Sequence, residues 1–203
     1  NKGFVLTRVA KWNMLQTRSL RINLEKFHLF TKNHRISRKN ENIILEVCQL
    51  PLQNYSWEIH KLGSDFYRNK FGEGTMSASK IKEMFNDMSK SNMNSVFRYM
   101  LQDKSHQLPT LNSLLSVVGY TLAYINSEIV HYAYPMYDLT LPKENLLGIG
   151  MMLKAIVWAK ENKKKYVYLG SVTTEESLYK LQFKGLEWWD NEKAEWSSDL
   201  EEL

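Results

Sequence analysis

From Arg18 to Phe27 the chain alternates: Leu20, Ile22 and Leu24 on one side, Arg21, Asn23 and Glu25 on the other. A period of two predicts a strand with one buried face. Thr31 to Asn40 is polar and basic and reads as a short helix starting at Thr31. Glu41 to Leu50, closed by Pro51, is a second strand. Ser56 to Phe71 has the helical period: Ile59, Leu62, Phe66 and Tyr67 form a stripe, Ser56 is a plausible N-cap and Gly72 a stop. After a Gly72-Glu-Gly74-Thr turn, Ser77 to Met88 is another helix, with Ile81, Met84, Phe85 and Met88 on one face.

The pattern changes near residue 90, which predicts two parts, a basic N-terminal region over 1–90 and a second domain over 91–203. Ser95 to Gln102 is strand-like, and Leu111 to Asn126 is a long apolar, β-branched and aromatic run. Glu128 to Tyr137 is a further strand, and the Asn126-Ser127 turn makes the two an antiparallel hairpin. Leu146 to Asn162 is a strong helix whose negative end meets Lys163-Lys164-Lys165. Lys165 to Gly170 is a short buried strand, Thr173 to Lys184 a helix capped by Thr173 or Thr174, and Gly185 to Asp190 a last strand.

Charge adds a feature that periodicity does not show. Residues 1–40 hold ten Lys or Arg against one acid, Glu25, a net +9 of the chain's total of +5. Phe4, Trp12, Phe27 and Phe30 lie among these cations, a composition that fits a polyanion such as nucleic acid. From Glu187 onward seven acids face one lysine, which reads as a solvated tail. Cys48 is the single cysteine, so no internal disulfide and no cysteine metal cage can form, and it reads as a buried thiol of a cytoplasmic protein. No signal peptide is visible and no uncharged apolar run approaches the roughly 20 residues of a membrane span, so no membrane partner is expected. The histidines His28, His34, His60, His106 and His131 show no metal-ligand spacing, and no metal is expected.

The order hairpin, glycine loop, helix, strand, helix, strand fits an α+β GNAT-like acyltransferase fold, a mixed, mostly antiparallel sheet flanked by helices. In that fold two central strands splay apart, and the loop after the first turns backbone N–H groups toward an acyl donor at a helix N-terminus. Asn145-Leu-Leu-Gly148-Ile-Gly150 matches the loop pattern Gln/Arg-x-x-Gly-x-Gly/Ala with Asn in first place. Its glycines are the small residues that close approach of donor phosphates requires. An ordinary strand-to-helix turn is the plainer alternative.

Several segments together resemble the arginyl- and leucyl-tRNA–protein transferases. Leu20-Arg-Ile-Asn-Leu-Glu-Lys-Phe27 is similar to a family strand, and Thr31-Lys-Asn-His-Arg35-Ile-Ser-Arg38-Lys39-Asn40 to its Ser-x-x-x-Arg-Arg-x-x-Arg-x-Asn segment. Phe66-Tyr-Arg-Asn-Lys-Phe71-Gly with Gly74-Thr-Met76 resembles its Tyr-x-x-Tyr…Arg-His-Pro-x-Gly-x-Met stretch. Tyr166-Val-Tyr168-Leu169-Gly170 and Tyr179-Lys180-Leu-Gln-Phe183 match its Tyr-Leu-Gly and Tyr-Lys-x-x-Phe signatures. Three departures stand out. The cysteine cluster that holds metal or iron–sulfur in many members is missing, Ser171 stands where an aromatic usually follows Tyr-Leu-Gly, and Gly148-Ile-Gly150 is closer to a coenzyme A loop than the family's Leu-Gly-Thr-Tyr.

The resemblance implies an aminoacyl-tRNA–protein transferase that moves arginine or leucine from charged tRNA to the N-terminal α-amine of a protein, marking it for degradation by the N-degron route. Aminoacyl-tRNA is then a co-substrate, and no further cofactor is expected. An acyl-CoA-dependent GNAT N-acetyltransferase using acetyl-CoA, or a non-catalytic RNA-binding relative, are the alternatives. Tyr179, Lys180 and Asp138 are the catalytic candidates, each with a structural reading beside it: a core tyrosine, a surface lysine and a turn aspartate. Leu147, Gly148, Ile149 and Gly150 form the candidate donor loop. Arg35, Arg38 and Lys39, with Arg18 and Arg21 behind them, are the candidate tRNA contacts, against a solvated basic helix. Tyr168 and Phe183 read as core. His131, close to the splay, is the one histidine placed to act as a base, and a structural role is the stronger reading.

Overall fold

The computed structural model of the protein describes residues 2–102, 115–172 and 175–203. Two short strands, β1 (Phe4–Leu6) and β2 (Met14–Gln16), form an N-terminal ribbon. Then follow β3 (Ser19–Asn23), α1 (Thr31–Lys39), β4 (Ile43–Gln49), α2 (Trp57–Phe71), α3 (Ala78–Asn86), β5 (Ser95–Gln102), β6 (Leu115–Ile125) and β7 (Ile129–Tyr137). A 3-10 turn (Lys143–Asn145) leads into α4 (Leu147–Glu161), β8 (Tyr166–Ser171), a 3-10 helix (Glu175–Gln182), β9 (Leu186–Asp190) and β10 (Glu195–Ser197).

Eight of these strands make one sheet in the order β10-β9-β3-β8-β7-β6-β5-β4. Every pairing is antiparallel except β7 with β8, which run parallel on either side of α4. A parallel pair needs a crossover, and α4 is that crossover. The architecture is the GNAT-like α+β fold that the element order predicts.

Helices cover both faces. Strand alternation sends Leu20, Ile22, Phe97, Tyr99, Val130, Tyr132, Val167 and Leu169 into one core with Met151, Met152, Ala155 and Ile156 of α4 and Ile36 of α1. The opposite face sends Val96, Leu122 and Met136 into a second core with Ile59 and Phe66 of α2 and Ile81, Met84 and Phe85 of α3. Each fully buried side chain of this size contributes ~1.5–3 kcal/mol relative to exposure.

Ser56 and Gly72 bound α2 as expected, and the Ser77 hydroxyl caps α3 by accepting from Lys80 N at 3.1 Å. β3 lies between β8 and β9, and β4 pairs with β5, so strands from either side of residue 90 share one sheet.

Two expected elements change form. The segment read as a helix over Thr173 to Lys184 is of the 3-10 kind over Glu175–Gln182, and its expected caps Thr173 and Thr174 lie outside the described residues. It returns from the end of β8 to the start of β9, about one strand length. Eight residues at ~2.0 Å rise cover ~16 Å as 3-10 helix but only ~12 Å as α-helix. The acidic tail is not simply solvated. β10 pairs with β9, and Lys193 bridges Asp190 at 3.8 Å and Glu202 at 2.6 Å. The β1–β2 ribbon was not expected. Asn92 clips its connecting loop, donating from Nδ2 to Thr7 O and Ala10 O at 3.1 Å each and accepting from Trp12 N at 2.6 Å. Leu111 to Leu114, the start of the run that forms β6, lie outside the described residues, as does His106. Among the described residues no helix is long and apolar enough to cross a membrane.

Candidate functional site at the splay of two parallel strands

β7 and β8 pair only at Ile129 with Tyr166, Val130 with Val167 and His131 with Tyr168. Beyond that point they part. β7 carries on to Tyr137 through an irregularity at Tyr134, whose φ is +51°, while β8 ends at Gly170 (φ +77°) and Ser171. The N-terminus of α4 stands at one arm of this opening and Lys180 at the other.

Leu146, in the left-handed region at φ +55°, turns the chain into α4, and no side chain caps the helix. Gly150 N is the first amide to bond back, to Leu146 O at 2.9 Å. The amides of Leu147, Gly148 and Ile149 precede it and have no partner within the helix. The two glycines, however, answer to the protein itself. A Cβ on Gly148 would stand 2.7 Å from the Tyr137 hydroxyl, and one on Gly150 would stand 2.4 Å from the buried Asn40 carboxamide. The Gly-x-Gly spacing therefore follows from packing against Tyr137 and Asn40, and it does not single out a coenzyme. Asn40 caps α1 and ties it to the loop before α4, its Nδ2 donating to Ile36 O at 3.0 Å and Asn145 O at 2.9 Å. Lys39 reinforces the link by donating to Glu144 O. Gly150→Ala should cost ~1–3 kcal/mol, because Asn40 must move off both carbonyls to admit a methyl group; urea unfolding of the purified variant measures it.

Tyr137 is the centre of a cluster of tyrosines that the sequence did not single out. Its hydroxyl meets Gly148, and Tyr179, Tyr132 and Tyr67 lie close enough to act on one another's ionisation. Tyr179 is 44% exposed overall, but the atoms crowded around it, and then the neighbouring Tyr137 hydroxyl, push its phenol up to about 12. Burial likewise raises Tyr67, Tyr132 and Tyr137. These phenols are therefore neutral donors across the working pH range. Tyr67 spends its proton on Pro135 O at 3.1 Å. A tyrosine-rich stretch, Tyr132-Ala-Tyr134-Pro-Met-Tyr137, was the available signal.

Lys180 is half-buried. Its ammonium donates to Ser171 O at 2.9 Å and lies 3.8 Å from where a Cβ on Gly170 would be. Burial lowers its pKa to about 8. Tyr179 and Lys180 thus stand at the opening together, Tyr179 beside the α4 arm and Lys180 on the β8 arm.

The remaining candidates divide. Asp138 ends β7, but its Oδ1 accepts from Thr140 N at 2.8 Å and Thr140 Oγ1 at 2.7 Å, the turn-forming alternative. Arg35 and Arg38 are exposed on α1, whose C-terminus abuts the α4 loop. Arg18 donates to Leu203 O at 2.8 Å. Arg21 is removed from any polyanion: its guanidinium lies between Tyr166 and Trp196, 4.0 and 4.1 Å from the ring centres, and pairs with Glu187 at 2.7 Å. Tyr168 and Phe183 are each 3% exposed, core residues as read. His131 is buried with neither ring nitrogen hydrogen-bonded, and burial lowers its pKa to about 4. Its side chain follows strand alternation to the face opposite Tyr132. Cys48 is half-buried, and burial pushes its thiol up. With no second cysteine among the 203 residues, and no three His, Cys, Asp or Glu side chains grouped among the described ones, the residues present do not fit a metal or iron–sulfur centre.

A family model described as "Arginine-tRNA-protein transferase, C terminus" matches residues 60–190. The chain belongs to this family. The matched stretch runs from α2 to β9 and so includes the splay, the α4 loop, Tyr179 and Lys180, while β3 and α1 lie outside it. No curated protein matches the chain in sequence. Among solved structures, L-PGS from Bacillus licheniformis superimposes with a TM-score of 0.50 at 11% identity, over 79% of this chain and 49% of that one. The C-terminal domain (DUF2156) of a protein described as a lysylphosphatidylglycerol synthetase from Agrobacterium fabrum gives 0.50 at 10%, over 88% and 61%. FemX gives 0.52 at 10%, over 85% and 58%. These likenesses show a shared fold, and the chain spans about half to three-fifths of each of those proteins.

Proposed function

We propose that this member of the transferase family moves an aminoacyl group, arginine or leucine, from charged tRNA to the α-amine at a protein N-terminus, in the cytoplasm, and so marks the acceptor for degradation. The observation that carries the chemistry is Lys180: a half-buried amine at the open end of the splay, shifted to about 8, with a main-chain carbonyl as its partner and neutral tyrosine hydroxyls across the opening. Such an amine is part neutral near pH 7–8 and can both take and return a proton.

The acceptor amine attacks the ester carbonyl of the aminoacyl group. A C–N bond forms and the carbonyl electrons move to oxygen. Tyr179 and Tyr137 donate to that oxyanion, and the free amides of Leu147 to Ile149 hold the phosphate of the tRNA end. Neutral Lys180 takes the proton released by the amine. Collapse re-forms the carbonyl and breaks the ester C–O bond, and the proton passes from Lys180 to the departing ribose oxygen. No other reactant is needed.

The exposed face of α1 guides the tRNA backbone. Arg35→Glu with Arg38→Glu should raise KM for charged tRNA at least tenfold with kcat little changed, and should flatten the salt dependence of tRNA binding by roughly one unit of log–log slope per residue. Equal salt slopes for the variant and the native protein would remove α1 from the interface.

Incubation with each labelled aminoacyl-tRNA, and with peptides beginning Asp, Glu, Lys or Arg, tests the whole reading. Transfer of arginine or leucine to at least one peptide is expected. Micromolar binding of coenzyme A with indifference to charged tRNA would overturn it, and tRNA binding without transfer to any peptide would point to a non-catalytic RNA-binding protein.

A further inference from the structure

The stretch from Phe66 to Met76 takes no part in the transfer chemistry above, yet it begins beside the splay. Tyr137 reaches to both faces of the sheet. Its hydroxyl meets Gly148 on the α4 side, and its ring lies 4.7 Å from the Phe66 ring of α2 on the other. Phe66 lies 6.2 Å from Phe71, and Tyr67 stacks on Phe71 at 5.8 Å with 30° between the planes. A row of rings thus leads from the site outward along the last turn of α2. Phe66 and Tyr67 are buried, but Phe71 at the end of the row is 57% exposed. The turn behind it fixes its backbone. Gly72, at φ +91°, stops the helix, and Thr75 Oγ1 donates to Phe71 O at 3.1 Å and to Gly72 O at 2.9 Å. Single exposed apolar residues are common. Phe71 is set apart by its continuity with Tyr137, whereas Trp57, equally exposed at the start of the same helix, lies about 20 Å away at 1.5 Å rise per residue.

We infer that this row seats an apolar side chain at the second or third residue of the acceptor peptide, an inference that rests on the transfer reading above. Position and charge both choose the acceptor over the tRNA. The proposed tRNA contacts, α1 and the first amides of α4, belong to the opposite face of the sheet from α2. α1 carries Lys32, Arg35, Arg38 and Lys39 and no acid. Beside Phe71, by contrast, Arg68 pairs with Asp65 at 2.6 Å and with Glu73 at 4.0 Å. A turn whose cation is already answered does not draw a polyanion. The reach also fits. An extended chain advances ~3.3–3.6 Å per residue. With its amine at the Tyr137 and Tyr179 hydroxyls, the next two residues pass Phe66 and then Phe71. A leucine side chain laid on Phe71, with Tyr67 stacked beneath, removes apolar surface of both partners from water.

The probes are fluorescein-labelled heptapeptides with a free N-terminus, beginning Asp, Glu, Lys or Arg. Each carries Leu-Leu at positions two and three, Ser-Ser there, or Leu-Leu moved to positions five and six. Binding to the full chain is read by fluorescence anisotropy without tRNA, and the same peptides then enter the transfer assay. For at least one first residue, Leu-Leu at positions two and three should bind at least tenfold more tightly than either counterpart. Phe71→Ser should cut that preference below threefold and leave the affinity for charged tRNA unchanged. Trp57→Ser should leave the preference intact. Both side chains are exposed, so neither change threatens the fold, which circular dichroism checks. Equal binding of the three designs, no binding of any, a preference that survives Phe71→Ser, or one lost equally with Trp57→Ser would each overturn the proposal. Binding as expected with no peptide ever aminoacylated would uphold the seat and remove the transfer reading. Aminoacylation indifferent to residues two and three would do the reverse.

Discussion

Replacing Lys180 by methionine should lower kcat by about 10²–10⁴ and leave tRNA affinity within a few-fold. Lys180→Arg should do no better, because a guanidinium stays protonated throughout the accessible pH range. The pH profile carries the more specific result. Two groups must be neutral for attack: the acceptor α-amine, with a pKa near ~7.7–8, and Lys180, which burial brings to about 8. Below pH 7 the native enzyme loses both together, so log kcat/KM against pH should approach a slope of two. With Lys180 gone the amine titrates alone, and the slope should fall to one. A purely structural lysine would lower activity, if at all, without altering that slope. Retention of a third or more of native kcat by the methionine variant, with slope unchanged, would take Lys180 out of the chemistry.

Acid should unfold this protein partly through His131. Its side chain is buried with both ring nitrogens unpartnered, and its pKa is lowered from 6.5 to about 4. The unfolded chain therefore binds a proton over a range in which the folded one does not. Stability is fully present above pH 6.5, falls as pH drops from 6.5 toward 4, and loses nothing more from this group below 4. A shift of this size corresponds to ~3 kcal/mol across the window. In His131→Phe that dependence disappears, and no hydrogen bond is lost because none is made. Urea unfolding at pH 7.5 and pH 4.5 should show the variant gaining ~2 kcal/mol on the native protein between the two. Parallel losses in both proteins would sink the idea. The same burial makes His131 a poor base, since both of its ring nitrogens are enclosed and its protonated form is disfavoured.

Local pattern carried most of the elements. α2 is bounded where Ser56 and Gly72 put it, and β5 runs from Ser95 to Gln102 as read. The ribbon strands β1 and β2, and β10, are three residues each, too short for alternation to register. The insertion of β3 between β8 and β9 involves partners some 140 to 170 positions away, and no local periodicity encodes a partner. At the site, Tyr179 and Lys180 were legible because a signature marked them, and both reach the splay. Tyr137 was not, because its importance comes from meeting Gly148 across the opening. Arg21 looked like one more cation in a basic stretch, yet its neighbours Tyr166, Trp196 and Glu187 come from the far end of the chain. Asp138 and the two loop glycines were legible as residues, but the contacts they make, Asp138 with Thr140 in a turn and the glycines against Tyr137 and Asn40, were not.

The position of β3 also sets an order of events during synthesis. The meander from β4 to β7 closes through neighbours in sequence and can assemble as it leaves the ribosome. β3 is made earlier but has no partner until β8 and β9 emerge, more than 140 residues later. At roughly 5–20 residues per second, Leu20 and Ile22 wait about ten to thirty seconds, one apolar edge on a nascent chain, before the sheet can accept them. Completion of the central strand should thus be the last step of folding. Ribosome-stalled chains ending before residue 186 should be sensitive to proteolysis within the first thirty residues and become protected only once β9 has cleared the exit tunnel.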